Sequence, residues 1–240
     1  MYCGSTYDAC HQDHSGVTIC IEHEGERLEL TAESLAVMTG RTPNTEGLGL
    51  ENAGVALDSR GAIVVGDNMQ TSNPAIYAAG DVTDRDQFVY MAAYGAKLAA
   101  RNAVASGAEV YDKSAMPWVV FTDPQVAGVG LSEAEARQAG FEVKTSIVPL
   151  DQVPRALAAR DTRGLIKLVA DRNTDKLLGG QIMAPEGSDS IQTLAMALNF
   201  EMTAKALGET IFPYLTTVEG LKLAAQTFDK DVTKLSCCAG

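Results

Sequence analysis

The stretch Thr71-Ser72-Asn73-Pro74-Ala75-Ile76-Tyr77-Ala78-Ala79-Gly80-Asp81 decides how this chain is read. Ile76-Tyr77-Ala78-Ala79 has strand character and stops at Gly80-Asp81, and an Ala-rich helix is expected to follow over roughly 88–106. A glycine at such a stop lets a ligand come close to the backbone. Asp81 then presents a carboxylate able to accept hydrogen bonds from hydroxyls. The helix start around Phe88-Val89 offers N–H groups and positive potential to an electron-rich ligand atom. The bland alternative is an ordinary strand, an Asp turn and a helix.

Upstream, Val17-Thr18-Ile19-Cys20-Ile21 is β-branched, Glu24-Gly25 signals a turn and Arg27-Leu28-Glu29-Leu30 alternates. Ser34-Leu35-Ala36-Val37-Met38 reads as a short buried strand ending at Thr39-Gly40. Residues 41–60 form a loop-rich link, and Ile63-Val64-Val65 is a further expected strand. Residues 1–15 show little periodicity and receive no element.

Downstream the pattern changes near 110–116. Trp118 to Phe121 and Gln125 to Val129 read as strands around a Thr122-Asp123-Pro124 turn. Ser132-Glu133-Ala134-Glu135 has the spacing of a capping box, and Gly140 suits the residue just past that helix. Strands are expected at 142–148, 164–170 and 177–183, and helices at about 188–201, 203–209 and 217–228. In the last helix Val218, Leu221, Ala225 and Phe228 share one face. The expected class is α/β followed by α+β with an antiparallel sheet. The expected domains are 1–40, 41–112 and 113–240.

The net charge of −12 argues against nucleic acid or an anionic membrane as partner, since both require basic patches. No apolar run approaches the roughly 18 residues needed to span a bilayer, and Met1-Tyr2-Cys3-Gly4 lacks the start of a signal peptide. A cytoplasmic location is expected. Five cysteines, Cys3, Cys10, Cys20, Cys237 and Cys238, are an odd number and fit reduced thiols better than a disulfide framework.

The Gly80-Asp81 motif, preceded by Gly40-Arg41-Thr42-Pro43-Asn44, resembles the second flavin-binding motif of the class I pyridine nucleotide-disulfide oxidoreductases, the flavoproteins with two dinucleotide-binding domains. The resemblance covers about residues 16–240. It implies that Gly80 and Asp81 meet FAD, with Asp81 on a ribityl hydroxyl and the amide of Val89 on the flavin pyrimidine carbonyl. Residues 116–235, opening with Phe121-Thr122-Asp123-Pro124-Gln125-Val126-Ala127-Gly128-Val129-Gly130, resemble that family's interface domain. By the same token residues 1–40 would hold an unmatched N-terminus and the last strands of an NAD(P)-binding domain, and 41–112 the C-terminal piece of an FAD-binding domain. NADPH would be the hydride source. Two subunits would pair as a homodimer, the tail of one serving the active site of the other.

Two local features point to the mercury-reducing branch of the family. Relatives that act on thiols carry a His-Pro pair with a Glu partner near the end, whereas here the place holds Phe212-Pro213-Tyr214-Leu215-Thr216 and no His lies beyond His23. The chain also ends Leu235-Ser236-Cys237-Cys238-Ala239-Gly240. Soft thiolates select soft ions, so Cys237 and Cys238 form a candidate soft-metal site, and the resemblance implies that the ion is Hg(II). The resemblance adds Tyr214 as a residue beside the path of the ion. Its bland alternative is a half-buried interface Tyr. Cys10, His11, His14, Cys20 and His23 form a looser set that fits no tight zinc signature.

Several parts of such a reductase have no counterpart in the sequence. No Gly-x-Gly-x-x-Gly follows a strand, and Cys3 and Cys10 lack the spacing of a Cys-x-x-x-x-Cys redox pair. The expectation is an N-terminally incomplete mercury(II) reductase, inactive by itself. The alternatives are a non-catalytic dimerisation module that binds Hg(II) through the tail thiols, or another FAD-dependent disulfide reductase such as a dihydrolipoamide dehydrogenase.

Overall fold

The computed structural model describes residues 1–14, 16–105, 109–228 and 230. The chain divides into two compact units, one of Met1–Tyr111 and one from Asp112 onward.

In the first unit β1 (Thr6–Asp13), β2 (Gly16–His23) and β3 (Glu26–Ala32) form an antiparallel sheet in that order. The β2–β3 turn is Glu24-Gly25, with φ of 53° and 81°. Positive φ at both central residues matches the right-handed twist of a two-residue hairpin. β1 is exposed along almost its whole length, and it is held by its pairing with β2 rather than by an apolar face. That explains why periodicity gave no sign of it. The expected strand at Ser34–Met38 does not form. Its Leu35, Val37 and Met38 are 42, 73 and 88% exposed, so a short apolar run was read as burial that no partner supplies.

Residues 41–88 run as turns stitched by single bridges, Leu57 to Ile63, Val65 to Thr71 and Gln70 to Tyr77. The strands expected at Ile63–Val65 and Ile76–Ala79 are therefore reduced to bridges. α1 (Val89–Val104) buries Met91, Gly95, Leu98 and Ala99 along one face, and Leu98 and Ala99 join Val55, Ile63, Val65 and Met69 in the core. Gly95 permits this approach, because a Cβ there would lie 3.3 Å from that of Ala79. Asn102, 3% exposed, donates its side-chain amide to the carbonyls of Asn68 and Glu109 (both 2.9 Å) and accepts the Glu109 N–H (3.1 Å). Two residues on, the Tyr111 N–H donates to the Asp67 carbonyl at 2.8 Å.

The second unit contains β4 (Pro117–Val120), β5 (Gln125–Gly130), α2 (Glu133–Gln138), β6 (Val143–Pro149), α3 (Pro154–Ala159), β7 (Leu165–Asp171), β8 (Leu177–Ala184), α4 (Gly187–Asn199), α5 (Ala204–Glu209) and α6 (Glu219–Gln226). The strands pair antiparallel in the order β4-β5-β8-β7-β6. α4 packs on β5 and β8, and α6 on β6 and β7. Val129, Val148, Ile166, Leu168 and Ile182 meet Leu194 and Leu221 between these layers and are essentially inaccessible. At roughly 25 cal/mol per Å² of apolar surface removed from water, this layer dominates the stability of the unit.

The opposite face carries an apolar row in register across all five strands: Val120, Val126, Met183, Leu165 and Pro149. No helix among the described residues covers it, and Val120 and Met183 remain 51 and 38% exposed. Beside the row the Trp118 ring lies over Gly128, where a Cβ would come within 2.5 Å of the indole. The capping box forms as its spacing requires. Ser132 Oγ accepts the Glu135 N–H (3.3 Å) and the Glu135 carboxylate accepts the Ser132 N–H (2.8 Å). Gly140 follows the helix with φ 88°. α3 was not anticipated: six residues are too few to show a period, although Pro154 at its first turn is a helix-start signal. In α6 Leu221 and Ala225 are buried, with Val218 and Phe228 packed against the same core.

Candidate functional site

Gly80 adopts φ 81° and ψ −159°, a conformation open essentially to glycine alone. The turn is fixed from several sides. The Gly80 carbonyl accepts both the Thr83 N–H (2.9 Å) and its hydroxyl (2.8 Å), and the Ile63 N–H donates to the Val82 carbonyl at 2.8 Å. A Cβ on Gly80 would stand 3.0 Å from that of Ala92, one turn into α1. The Asp81 carboxylate consequently sits next to the start of that helix.

Asp81 is about half exposed and is engaged through Oδ2 by Arg41 at 3.2 Å. Arg41 also donates to the Gln87 carbonyl, so one guanidinium ties the carboxylate to the residues leading into α1. An ion pair this exposed contributes little stability, about 0–1 kcal/mol. Its effect is to orient Asp81. Among the described residues Arg41 meets Oδ2, which leaves Oδ1 as the acceptor that a hydroxyl would use.

α1 begins without a side-chain cap at Phe88. The Phe88 carbonyl takes the amides of Met91 (3.0 Å) and Ala92 (2.9 Å), the first bonds of the helix. The Val89 amide precedes them and has no intrahelical acceptor, and Val89 is 86% exposed. Gly80, Asp81 and Val89 thus offer a close-approach turn, a carboxylate acceptor and a helix-start amide donor. Arg41 belongs to this group, and the sequence reading quoted it only as part of a motif.

Tyr214 lies on the loop between α5 and α6, 60% exposed. Before it, Phe212 packs on the core of the unit. After it, Leu215 has φ 65°, left-handed for a residue with a Cβ. The Leu215 N–H donates to Glu219 Oε2 at 3.1 Å, and Glu219 is only 6% exposed. The Thr216 hydroxyl donates to the Pro213 carbonyl (2.9 Å) and accepts the Glu219 N–H (3.3 Å). The sequence reading missed Glu219. Thr216-Thr217-Val218-Glu219 has the spacing of a capping box, a signal that would have found it.

Cys237 and Cys238 lie outside the described residues. Of the looser cysteine–histidine set, Cys10 is exposed and Cys20 is buried with its thiol 3.9 Å from Glu29 Oε1. His23 Nδ1 meets Ser5 Oγ at 3.0 Å, with its ring edge against Tyr2. No three His, Cys, Asp or Glu side chains among the described residues converge as metal ligands. No helix among them is long and apolar enough to cross a membrane.

Comparison with known proteins gives a consistent outcome. Residues 1–107 match the pyridine nucleotide-disulphide oxidoreductase model, and residues 116–225 match the dimerisation domain of the same family. The match includes the first fifteen residues, which the sequence reading had left aside. The chain is 49% identical over 237 residues to a mercuric reductase of Bacillus cereus, covering 99% of this chain and 38% of that protein. It is 56% identical over 212 residues to a mercuric reductase of Acidithiobacillus ferrooxidans, covering 88% and 39%. Among solved structures it resembles the HOCl-induced flavoprotein disulfide reductase RclA from Escherichia coli, with TM-score 0.82 and 27% identity over 92% of this chain and 50% of that one. LpdA from Mycobacterium tuberculosis gives TM-score 0.82 and 27% identity over 92% and 48%. The chain thus spans well under half the length of these two curated relatives.

Proposed function

Because the chain belongs to the pyridine nucleotide-disulphide oxidoreductase family, we propose that it carries the ion-handling portion of a mercury(II) reductase. The observation that supports this reading best is the 49% identity across 99% of the chain to a protein of that activity. The Tyr214 loop adds to it, because a His base for thiol substrates is replaced there by an exposed phenol.

In this reading Cys237 and Cys238 take up Hg(II) as thiolates, a pairing of soft ligand with soft ion. Tyr214 stands beside the path along which the ion is passed to a second thiol pair. Asp81 would hold a ribityl hydroxyl of FAD, Gly80 would allow the close approach, and the Val89 amide would serve the pyrimidine carbonyl. Bound FAD would supply the relay of electrons from NADPH that takes Hg(II) to Hg(0). The dimerisation domain supports a homodimer, and in this reading the tail of one subunit would serve the other.

The sequence has no Gly-rich turn at a helix N-terminus to anchor the pyrophosphate. The hydrogen bonds that remain, each worth about 0.5–1.5 kcal/mol net, do not replace that anchor. The 240-residue chain is therefore expected to bind Hg(II) tightly, a single ion per chain, yet to retain no FAD and to catalyse no NADPH-dependent reduction. The test is an Hg(II) titration of the parent and of the Cys237→Ala/Cys238→Ala double variant, with NADPH absorbance followed in the presence of added FAD. A double variant that titrates like the parent refutes the assignment of the site. Turnover above a protein-free control refutes the expected inactivity.

A further inference from the structure

The loop that displays Tyr214 is held by several side-chain hydrogen bonds. Its two feet are fixed by different means: Phe212 packs on the core, and residue 219 begins α6. Between them Leu215 is held at φ 65°, a left-handed conformation that costs a residue with a Cβ energy. Such a conformation persists only where its surroundings over-determine it. Here the determinant is visible. The carboxylate of Glu219, almost wholly buried, accepts the Leu215 N–H at 3.1 Å.

A buried carboxylate is expensive to desolvate and is retained where its hydrogen bonds repay the cost. Thr216 completes the brace, since its hydroxyl joins the Pro213 carbonyl to the Glu219 N–H. The arrangement is a capping box displaced by one residue: the acid returns its bond to the amide of Leu215, the neighbour of Tyr214, instead of to the amide of Thr216. The left-handed turn so fixed directly follows the phenol-bearing residue and sets the direction in which that residue leaves the loop.

We propose that Glu219 is the positioning residue for Tyr214, fixing the loop that presents the phenol to the incoming ion. The inference rests on the proposed function, because it gives Tyr214 its task in mercury transfer. What Glu219 contributes is reach to the Leu215 amide. A side chain of the same length with an acceptor oxygen therefore substitutes for it, and a shorter carboxylate does not.

The test uses the full chain and the bis-cysteine complex of Hg(II) as donor. The rate of transfer to the protein is followed by the ultraviolet thiolate-to-mercury band, and hydrogen exchange of the Leu215 amide is measured separately. Tyr214→Phe and Glu219→Asp should each slow transfer roughly tenfold, the scale set by losing one hydrogen bond to a charged group. The double variant should be no slower than either single one, and Glu219→Gln should restore the rate to within about twofold. Equilibrium Hg(II) affinity should stay unchanged, and the Leu215 amide should exchange faster in Glu219→Asp but not in Glu219→Gln. Because Asp keeps the buried charge and Gln the length, the comparison holds even if Glu219→Ala does not fold. Slowing in Tyr214→Phe with a parent-like Glu219→Asp, or independent losses in the double variant, overturns the proposal alone. A parent-like Tyr214→Phe overturns the functional reading and this inference with it.

Discussion

Replacing Gly80 by Ala tests whether the turn before Asp81 is built as described. The perturbation has two parts. The backbone at φ 81° and ψ −159° is nearly closed to a residue with a Cβ and costs about 1–3 kcal/mol. The added methyl would also stand 3.0 Å from the Ala92 Cβ, overpacking that costs on the order of 1 kcal/mol or more. Together these should destabilise the first unit by about 2–4 kcal/mol. With a urea dependence of about 2 kcal/mol per molar, the unfolding midpoint falls by roughly 1–2 M. The assay is urea unfolding followed by far-ultraviolet circular dichroism, since α1 is the longest helix described. The emission of Trp118, the single tryptophan, reports the second unit and serves as an internal reference. Ala92→Gly removes the contact but not the backbone strain. In a double-mutant cycle the pair should therefore couple favourably by roughly 1 kcal/mol. A parent-like midpoint for Gly80→Ala, or a strictly additive cycle, would refute the reasoning.

Ser132→Ala should cost about 1 kcal/mol through loss of the cap on the Glu135 amide, and Ser132→Gly only a few tenths; equal losses in thermal unfolding would contradict this. The Tyr111 hydroxyl is pushed up to about 12, first by burial and then by the Asp86 carboxylate. A raised value in the folded state means that its contribution to stability is full below the ordinary phenol value near ~10 and is lost as pH rises through about 12. Phenolate absorbance of the parent minus Tyr111→Phe should show its step near the higher value, and a step near ~10 would refute the assignment. The row of Val120, Met183 and their neighbours is left without a covering helix among the described residues, and a contiguous exposed apolar surface marks an interaction site. A two-fold homodimer is expected by light scattering at micromolar concentration, and a monomeric mass would count against it.

The legible parts of the fold were those whose physics is local. The Ser132–Glu135 box, the Gly140 stop and the Leu221–Ala225 face each depend on residues within a turn or two, and each stands where the sequence placed it. The strands of the second unit were legible for a related reason, because the helix-covered face imposes burial on alternate residues. β1 was illegible because its exposed side chains carry no pattern, and its only determinant is the edge that β2 offers. Ser34–Met38 failed in the opposite sense, as an apolar run with nothing to pair against. At the candidate site Gly80, Asp81 and Val89 could be named from residue type and order. The engagement of Asp81 by Arg41, forty residues earlier in the chain, could not, because only the folded backbone brings the two together. Tyr214 could be named through a missing His, whereas its brace Glu219 could not, because the bond to the Leu215 amide depends on a left-handed turn that residue type does not announce.

Asn102 has a mechanical consequence. Its side-chain amide grips both backbone groups of Glu109 and the Asn68 carbonyl, and the next grip, from Tyr111 to Asp67, lies just before the first unit ends. A pull on the chain from Asp112 onward would load the Tyr111–Asp67 bond before it reached the Glu109 bonds and, through Asn102, the last turn of α1. They act as a cable clamp does, taking up tension at the jacket so that the conductor inside is not drawn out. The helix that starts beside Asp81 is thereby insulated at its far end from forces transmitted along the backbone.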